Sequence, residues 1–242
     1  MPALELSSST LGTDPNLIAY YKLENANADS GTFNLTNNGT VGFVTAQFNN
    51  GARTGTAAGV YLGTGNNLGI TGGSATFNFF TRVLGSPTSG NQQFMFAQVA
   101  GGVVDVQYDI LYFNDAGVLK MAFERQRLGV AGDGTTVTQD LGTTGSHMIT
   151  MTYDNTTLRG FVDGTQIGSI ALSGTGNSAD ADVFNIGAGR AAANPFNSWI
   201  DDFSVFSRAL GTQEILDHWL GNDASGGAAG ISGYRNLLNV GF

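Results

Sequence analysis

The chain of 242 residues has no cysteine, four prolines, two lysines (Lys22 and Lys120), two histidines and four glutamates (Glu5, Glu24, Glu124 and Glu214). Without cysteine there can be no disulfide, thiolate nucleophile or thiolate metal site. Ten Lys plus Arg stand against nineteen Asp plus Glu, for a formal net charge of -9 and a pI near 4.4. That balance offers no basic surface to a phosphate backbone or an anionic lipid, so nucleic acid and membrane surface are not expected as partners. No run approaches the roughly 18 apolar residues of a spanning helix. The opening MPALELSSSTLGTDPN lacks a basic and then apolar leader, so secretory processing is not expected of the chain as it stands. Charged residues make up only 12%, against an ordinary share of roughly 25%.

What the chain does have is 36 Gly, 16 Phe, 7 Tyr and 41% hydrophobic residues, enough apolar volume for a large core and too much for acidic disorder. Period-two alternation runs from Leu17 to Phe206, cut at short intervals by Gly, Asn, Asp and Thr, which is an all-β pattern. Strands are predicted at 17–24, 75–84, 93–99, 106–113, 118–125, 147–153, 158–163, 166–172, 183–187 and 199–206, with shorter pieces near Phe43 and Tyr61. Asp163-Gly164 predicts a tight primed hairpin turn. One helix is predicted over Thr212 to Leu220, with Thr212 accepting from the first free amides, Ile215, Leu216, Trp219 and Leu220 as its apolar stripe, and Gly221 as its left-handed stop. Residues 1–16 read as a polar N-terminal arm, 17–220 as the domain, and 221–242 as a Gly-rich linker and an anchoring tail.

Three ordered pieces carry a family resemblance. LIAYYKLENANADSGTFNLTNNGTV from Leu17 has Tyr20-Tyr21, Glu24 and an Asp29-Ser30-Gly31 loop. HMITMTYDNTTLRGFVDGTQIGS supplies a hairpin pair with Tyr-Asp and Val-Asp-Gly turns. FNSWIDDFSVFSRALGTQEI closes with an acidic strand, an Arg-Ala-Leu step and a Glu-containing helix. Together they resemble laminin-G-like domains of the concanavalin A-like lectin and glucanase group. The resemblance implies an all-β, two-sheet antiparallel jelly-roll sandwich with one short C-terminal helix, its first and last strands side by side. It does not name a function.

Alternation in 199–206 puts Asp201 with Trp199, Phe203 and Val205 on an apolar face, and Asp202 on the other. A buried carboxylate must be hydrogen-bonded or coordinated, so Asp201 is expected to cap backbone amides or bind a cation. Glu24, Asp29, Asp201 and Asp202 form an incomplete oxygen set for structural Ca2+, which needs about 6 to 8 oxygens. Asn177, Asp180 and Asp182 make a second acidic cluster, read first as a solvated loop. Glycoside hydrolysis needs two carboxyl groups across the bond, and no such pair is legible in the sequence. His147 and His218 read as framework residues. Catalysis is therefore not expected, and no catalytic residue is assigned.

Sugar recognition needs only exposed aromatic faces and neutral polar groups on loops. Tyr61, Asn66, Asn67, Asn194, Phe196 and Asn197 are the candidates. The leading expectation is a non-catalytic virion surface protein (capsid decoration, head fibre or tail component) assembled in a host cytoplasm. Its arms would bind other virion subunits, a homo-oligomer is expected, and the sandwich would bind cell-surface glycans. A carbohydrate-binding or adhesion module of a bacterial surface protein, extracellular in location, is the first alternative, and a polysaccharide-processing enzyme the second.

Overall fold

The computed structural model describes residues 4–31, 33–66, 68–70, 73–99, 106–125, 134–172, 183–189 and 193–221. Asn67, the cluster of Asn177, Asp180 and Asp182, and the tail 222–242 lie outside the described residues.

Two antiparallel sheets form. The eight-stranded sheet runs in the order β13 (Thr165–Ala171), β12 (Thr157–Val162), β11 (His147–Tyr153), β6 (Ala75–Val83), β15 (Ser198–Phe206), β4 (Asn50–Thr54) and β3 (Gly42–Thr45), with β1 (Leu17–Tyr21) also paired to β15. The seven-stranded sheet runs β10 (Gly134–Thr138), β9 (Val118–Arg125), β8 (Val106–Asp115), β7 (Gln92–Val99), β14 (Val183–Ile186), β5 (Tyr61–Gly63) and β2 (Thr36–Asn38). The expected sandwich with one short helix, α1 (Thr212–Leu220), is present. The opening and closing strands are neighbours, with Leu17 opposite Phe206 and Tyr21 opposite Phe203 across a register shift between Leu17 and Ala19. Asp163 and Gly164 both take positive φ, 52° and 76°, as a primed turn requires.

Alternation divides each sheet into an inner and an outer face. Inner residues, among them Tyr21, Phe77, Phe79, Phe96, Phe123, Phe184 and Phe203, make one aromatic-rich core between the sheets. Phe79 and Phe203 stack with centroids 5.3 Å apart, so the two central strands of the eight-stranded sheet are keyed by their side chains.

A second cluster covers the outer face of that sheet. Phe80, Met148, Phe161, Trp199 and Phe206 point outward and meet Leu6, Leu11, Leu210 and Ile215. This corrects the reading of residues 1–16 as a free arm: from residue 4 on, the segment folds back, with two 3-10 turns at Leu6–Ser8 and Thr10–Thr13 and with Leu6 0% exposed. Arg208 fastens it, donating to Asp14 through Nε at 2.8 Å and to Glu214 of α1 through Nη1 at 2.9 Å. The helix also differs from expectation. Gly211 rather than Thr212 is its N-cap, its amide donating to Glu214 Oε2 at 2.6 Å. Its buried face is Ile215 and His218, whereas Leu220 is 39% exposed. The stripe shifts because the surface it meets is partly polar: Asn78 Nδ2 lies 3.2 Å from His218 Nδ1.

Candidate functional site

The outer face of the seven-stranded sheet carries the site. On β5, Leu62 enters the core with 0% exposure, so Tyr61 and Gly63 face outward. Register then aligns their neighbours: Gly63 lies between Thr36 of β2 and Asn185 of β14, and Tyr61 lies opposite Asn38. A Cβ placed on Gly63 would stand 2.9 Å from the Tyr61 ring, 3.3 Å from Asn185 Oδ1 and 3.5 Å from Asn38 Nδ2. Three side chains thus converge over a position that has none, leaving a groove of about 200 Å³ lined by these residues with Thr36, Thr64, Gly65 and Val183. Among the described residues, no carboxylate, lysine, arginine or histidine lines it.

The groove is braced from below. Asn185 is 4% exposed and donates through Nδ2 to the Gly189 carbonyl at 3.2 Å, which leaves Oδ1 toward the groove. Thr64 donates to the Asn66 carbonyl at 2.6 Å and accepts from the Phe184 amide at 3.1 Å. Asn66 Oδ1 in turn accepts from the Leu68 amide at 2.9 Å. Asn66 therefore folds its own loop rather than projecting from it.

The sequence candidates separate. Tyr61 lies in the groove and Asn66 beside it, while Asn194 and Asn197 line another cleft on the rim. Phe196 is 0% exposed and meets Tyr112 edge-on at 6.5 Å, so it is a core residue and not a stacking platform. Loop aromatics that point in or out look alike in sequence. Asn38, Gly63 and Asn185, which complete the groove, went unassigned because only the pairing of three short strands brings them together.

The acidic set is likewise not one centre. Asp29 Oδ2 accepts from the Lys22 amide at 2.8 Å, Asp201 Oδ2 from the Phe48 amide at 2.6 Å, and Asp202 Oδ2 from the Leu6 amide at 3.1 Å. Among the described residues no three acidic or imidazole groups gather as a metal would require, and Asp201 follows the backbone-capping alternative. A bulge between Asp201 and Ser204, with Asp202 at φ 52°, overturns the alternation expected there. Both carboxylates now reach toward the outer cluster, where burial, foremost, pushes Asp201 up to about 8 and Asp202 up to about 7.

A carboxylate pair that sequence reading passed over stands on the outer face of the seven-stranded sheet, with Asp109 of β8 opposite Glu124 of β9. Asp109 is 2% exposed, and burial together with the Glu124 charge raises its pKa well above the ordinary carboxylate range. Asp109 is thus almost wholly shut off from solution. Both histidines are held by hydrogen bonds, His218 against Asn78 and the Leu4 carbonyl. His147 Nδ1 and Nε2 both face acceptors, Asp163 Oδ2 and the Leu141 carbonyl, each at 2.8 Å.

A laminin-G-type family model, described as Concanavalin A-like lectin/glucanases superfamily, matches residues 53–216. The chain belongs to that superfamily. No curated protein matches this lectin/glucanase-type domain in sequence, but solved structures match its fold. Domain 4 of AbnA, a GH43 extracellular arabinanase from Geobacillus stearothermophilus solved with arabinotriose, has a TM-score of 0.64 at 14% identity. The match covers 84% of this chain and 98% of that one. The binding domain of botulinum neurotoxin DC in complex with SialylT gives 0.66 at 13% identity, covering 85% of this chain and 51% of that one. A botulinum neurotoxin type C structure, described by its interaction with two ganglioside molecules, gives 0.67 at 14%, covering 87% and 52%. The lectin/glucanase-type domain thus spans about half of the neurotoxin chains and nearly all of the arabinanase domain.

Proposed function

We propose that this chain is a non-catalytic carbohydrate-binding or adhesion module, and that the Tyr61 groove holds an uncharged sugar residue. One observation carries the reading: the Tyr61 ring, Asn38 and Asn185 converge above Gly63 in a groove that, among the described residues, has no ionic side chain. An aromatic ring provides an apolar face for the C–H side of a pyranose or furanose, and amides hydrogen-bond its hydroxyls. One related fold is domain 4 of an arabinanase, solved with arabinotriose, and another is the binding domain of a neurotoxin, in complex with SialylT, which supports this reading over the virion one. A premise of the virion reading also weakens, because residues 4–16 are spent on intramolecular contacts. The carboxylates point the same way: Asp109 is sealed in, and Asp201 and Asp202 are 0% and 1% exposed.

Screening the protein on an array of neutral and acidic glycans, followed by calorimetry on the ligands found, tests the proposal. Tyr61→Ala is expected to weaken binding at least tenfold without lowering the melting temperature appreciably, since the ring is only half-buried. Equal affinity of the variant and the parent would reject the site. Release of reducing ends from any bound glycan would reject the non-catalytic role.

A further inference from the structure

A larger cleft, of about 440 Å³, opens at the rim where the β6–β7 loop faces the β14–β15 connection. Five amide side chains line it, Asn91, Gln92, Gln93, Asn194 and Asn197, beside the hydroxyls of Thr56, Ser86 and Thr88, and among the described residues no ionisable side chain does. It adjoins a second hollow of about 200 Å³ on the outer sheet face, which shares Asn91 and Gln92 and adds Phe113. The two form one groove crossing the start of β7.

The state of the amides points to a ligand. The Gln93 side-chain oxygen is buried and accepts no hydrogen bond. Among the described residues, no hydrogen bond engages the side chains of Gln92, Asn194 or Asn197 either. Leaving a buried carbonyl oxygen unpaired disfavours folding, so its retention in a cleft is explained by a donor arriving from outside. The frame around it is rigid by contrast. Asn114 Nδ2 donates to the Pro87 carbonyl at 3.1 Å, Asn91 Nδ2 to Thr88 Oγ1 at 2.6 Å, and the Gly90 amide to the Asn114 carbonyl at 3.0 Å. A loop fixed by its own bonds, presenting unengaged amides, is preorganised for binding.

We infer that this rim groove is a second, independent binding site for an uncharged linear oligosaccharide, gripped by the Gln93, Asn194 and Asn197 amides and stacked at its far end on Phe113. Each amide sets an NH2 donor group beside a carbonyl acceptor, which suits neighbouring hydroxyls. Among the described residues the only charge in the lining of either hollow, Asp115, is neutralised by Lys120 at 2.6 Å, so an anionic chain finds no counter-charge there. Two sites on one module would give avidity on a polysaccharide that reaches both.

The test is titration of isotope-labelled protein with neutral hexasaccharides of arabinan, xylan and β-glucan, and with a hexagalacturonate, reading side-chain amide resonances. At least one neutral hexasaccharide is expected to shift the Gln93, Asn194 and Asn197 signals, while hexagalacturonate does not. Gln93→Leu, which removes the unpaired oxygen at similar volume, is expected to keep or raise the melting temperature and to weaken rim binding at least tenfold. Asn194→Gly, which suits the φ of 50° at that position, is expected to weaken it several-fold without unfolding. Tyr61→Ala should leave rim shifts intact. Absence of rim shifts with every neutral sugar, unchanged affinity in Gln93→Leu, or preference for hexagalacturonate would each overturn the proposal. Rim shifts without any at Tyr61 would uphold it and reject the Tyr61 groove instead.

Discussion

Two carboxylates beneath the N-terminal segment make stability depend on pH. Asp201 and Asp202 are held by burial near 8 and 7 when folded, against 3.8 ordinarily. Between those values the folded state binds more protons than the unfolded state, so their contribution is greatest below pH 3.8 and falls as pH rises to about 8. His218 acts oppositely. Burial lowers it from 6.5 to about 4, so its contribution grows with pH up to 6.5 and is constant above. His147, raised above 6.5 chiefly by its hydrogen bond with Asp163, adds a contribution lost as pH rises through its folded pKa. Only losses remain above pH 6.5. The melting temperature is therefore expected to fall between pH 6.5 and 8, as the unfolding free energy drops by about 1.4 kcal/mol per pH unit for each group that differs by a full proton. Asp201→Asn with Asp202→Asn should reduce that slope, leaving the share owed to His147 and to Asp109, whose pKa burial also raises. A wild-type profile already flat over this range would contradict the burial of the pair.

At the scale of elements, glycine placement and the docked N-terminal segment decide the packing. A Cβ on Gly160 of β12 would collide with the Phe123 ring from the opposite sheet. Gly160→Ala is thus expected to cost about 1–3 kcal/mol by overpacking, measurable as a lower urea midpoint with an unchanged m-value; an unaltered midpoint would mean the sheets are not so closely apposed. Leu6→Ala opens a cavity under the N-terminal segment and is expected to cost about 2–5 kcal/mol, whereas a free arm would lose nothing. Long strands such as His147–Tyr153 and Val118–Arg125 were legible in the sequence because alternation over seven or eight residues is unambiguous. Of the three- to five-residue strands, Thr36–Asn38, Asn50–Thr54 and Gly134–Thr138 were not. Thr36–Asn38 and Gly134–Thr138 have loop-like composition, and they are strands because β5 and β9 supply their hydrogen bonds. The N-terminal segment misled for a related reason: its two anchoring leucines, Leu6 and Leu11, are spaced for neither helix nor strand. Tyr61 could be picked out as an aromatic in a Gly/Asn-rich stretch, but nothing local linked it to Asn38 or Asn185.

For the whole molecule, the sandwich commits its inner faces to one core and most of one outer face to the N-terminal segment and α1, leaving the other sheet and its rim for recognition. The formal charge of -9 lies outside the Tyr61 groove, so sugar binding there should be nearly independent of ionic strength, unlike a contact built on charge. Mapping a bound neutral oligosaccharide by nuclear magnetic resonance tests the central claim most directly. The account predicts saturable shifts of the Tyr61 ring and the Asn38 and Asn185 side-chain amides, abolished in Tyr61→Ala and unchanged by added salt. Shifts confined to the outer face of the eight-stranded sheet, around Leu6, Trp199 and α1, would contradict it.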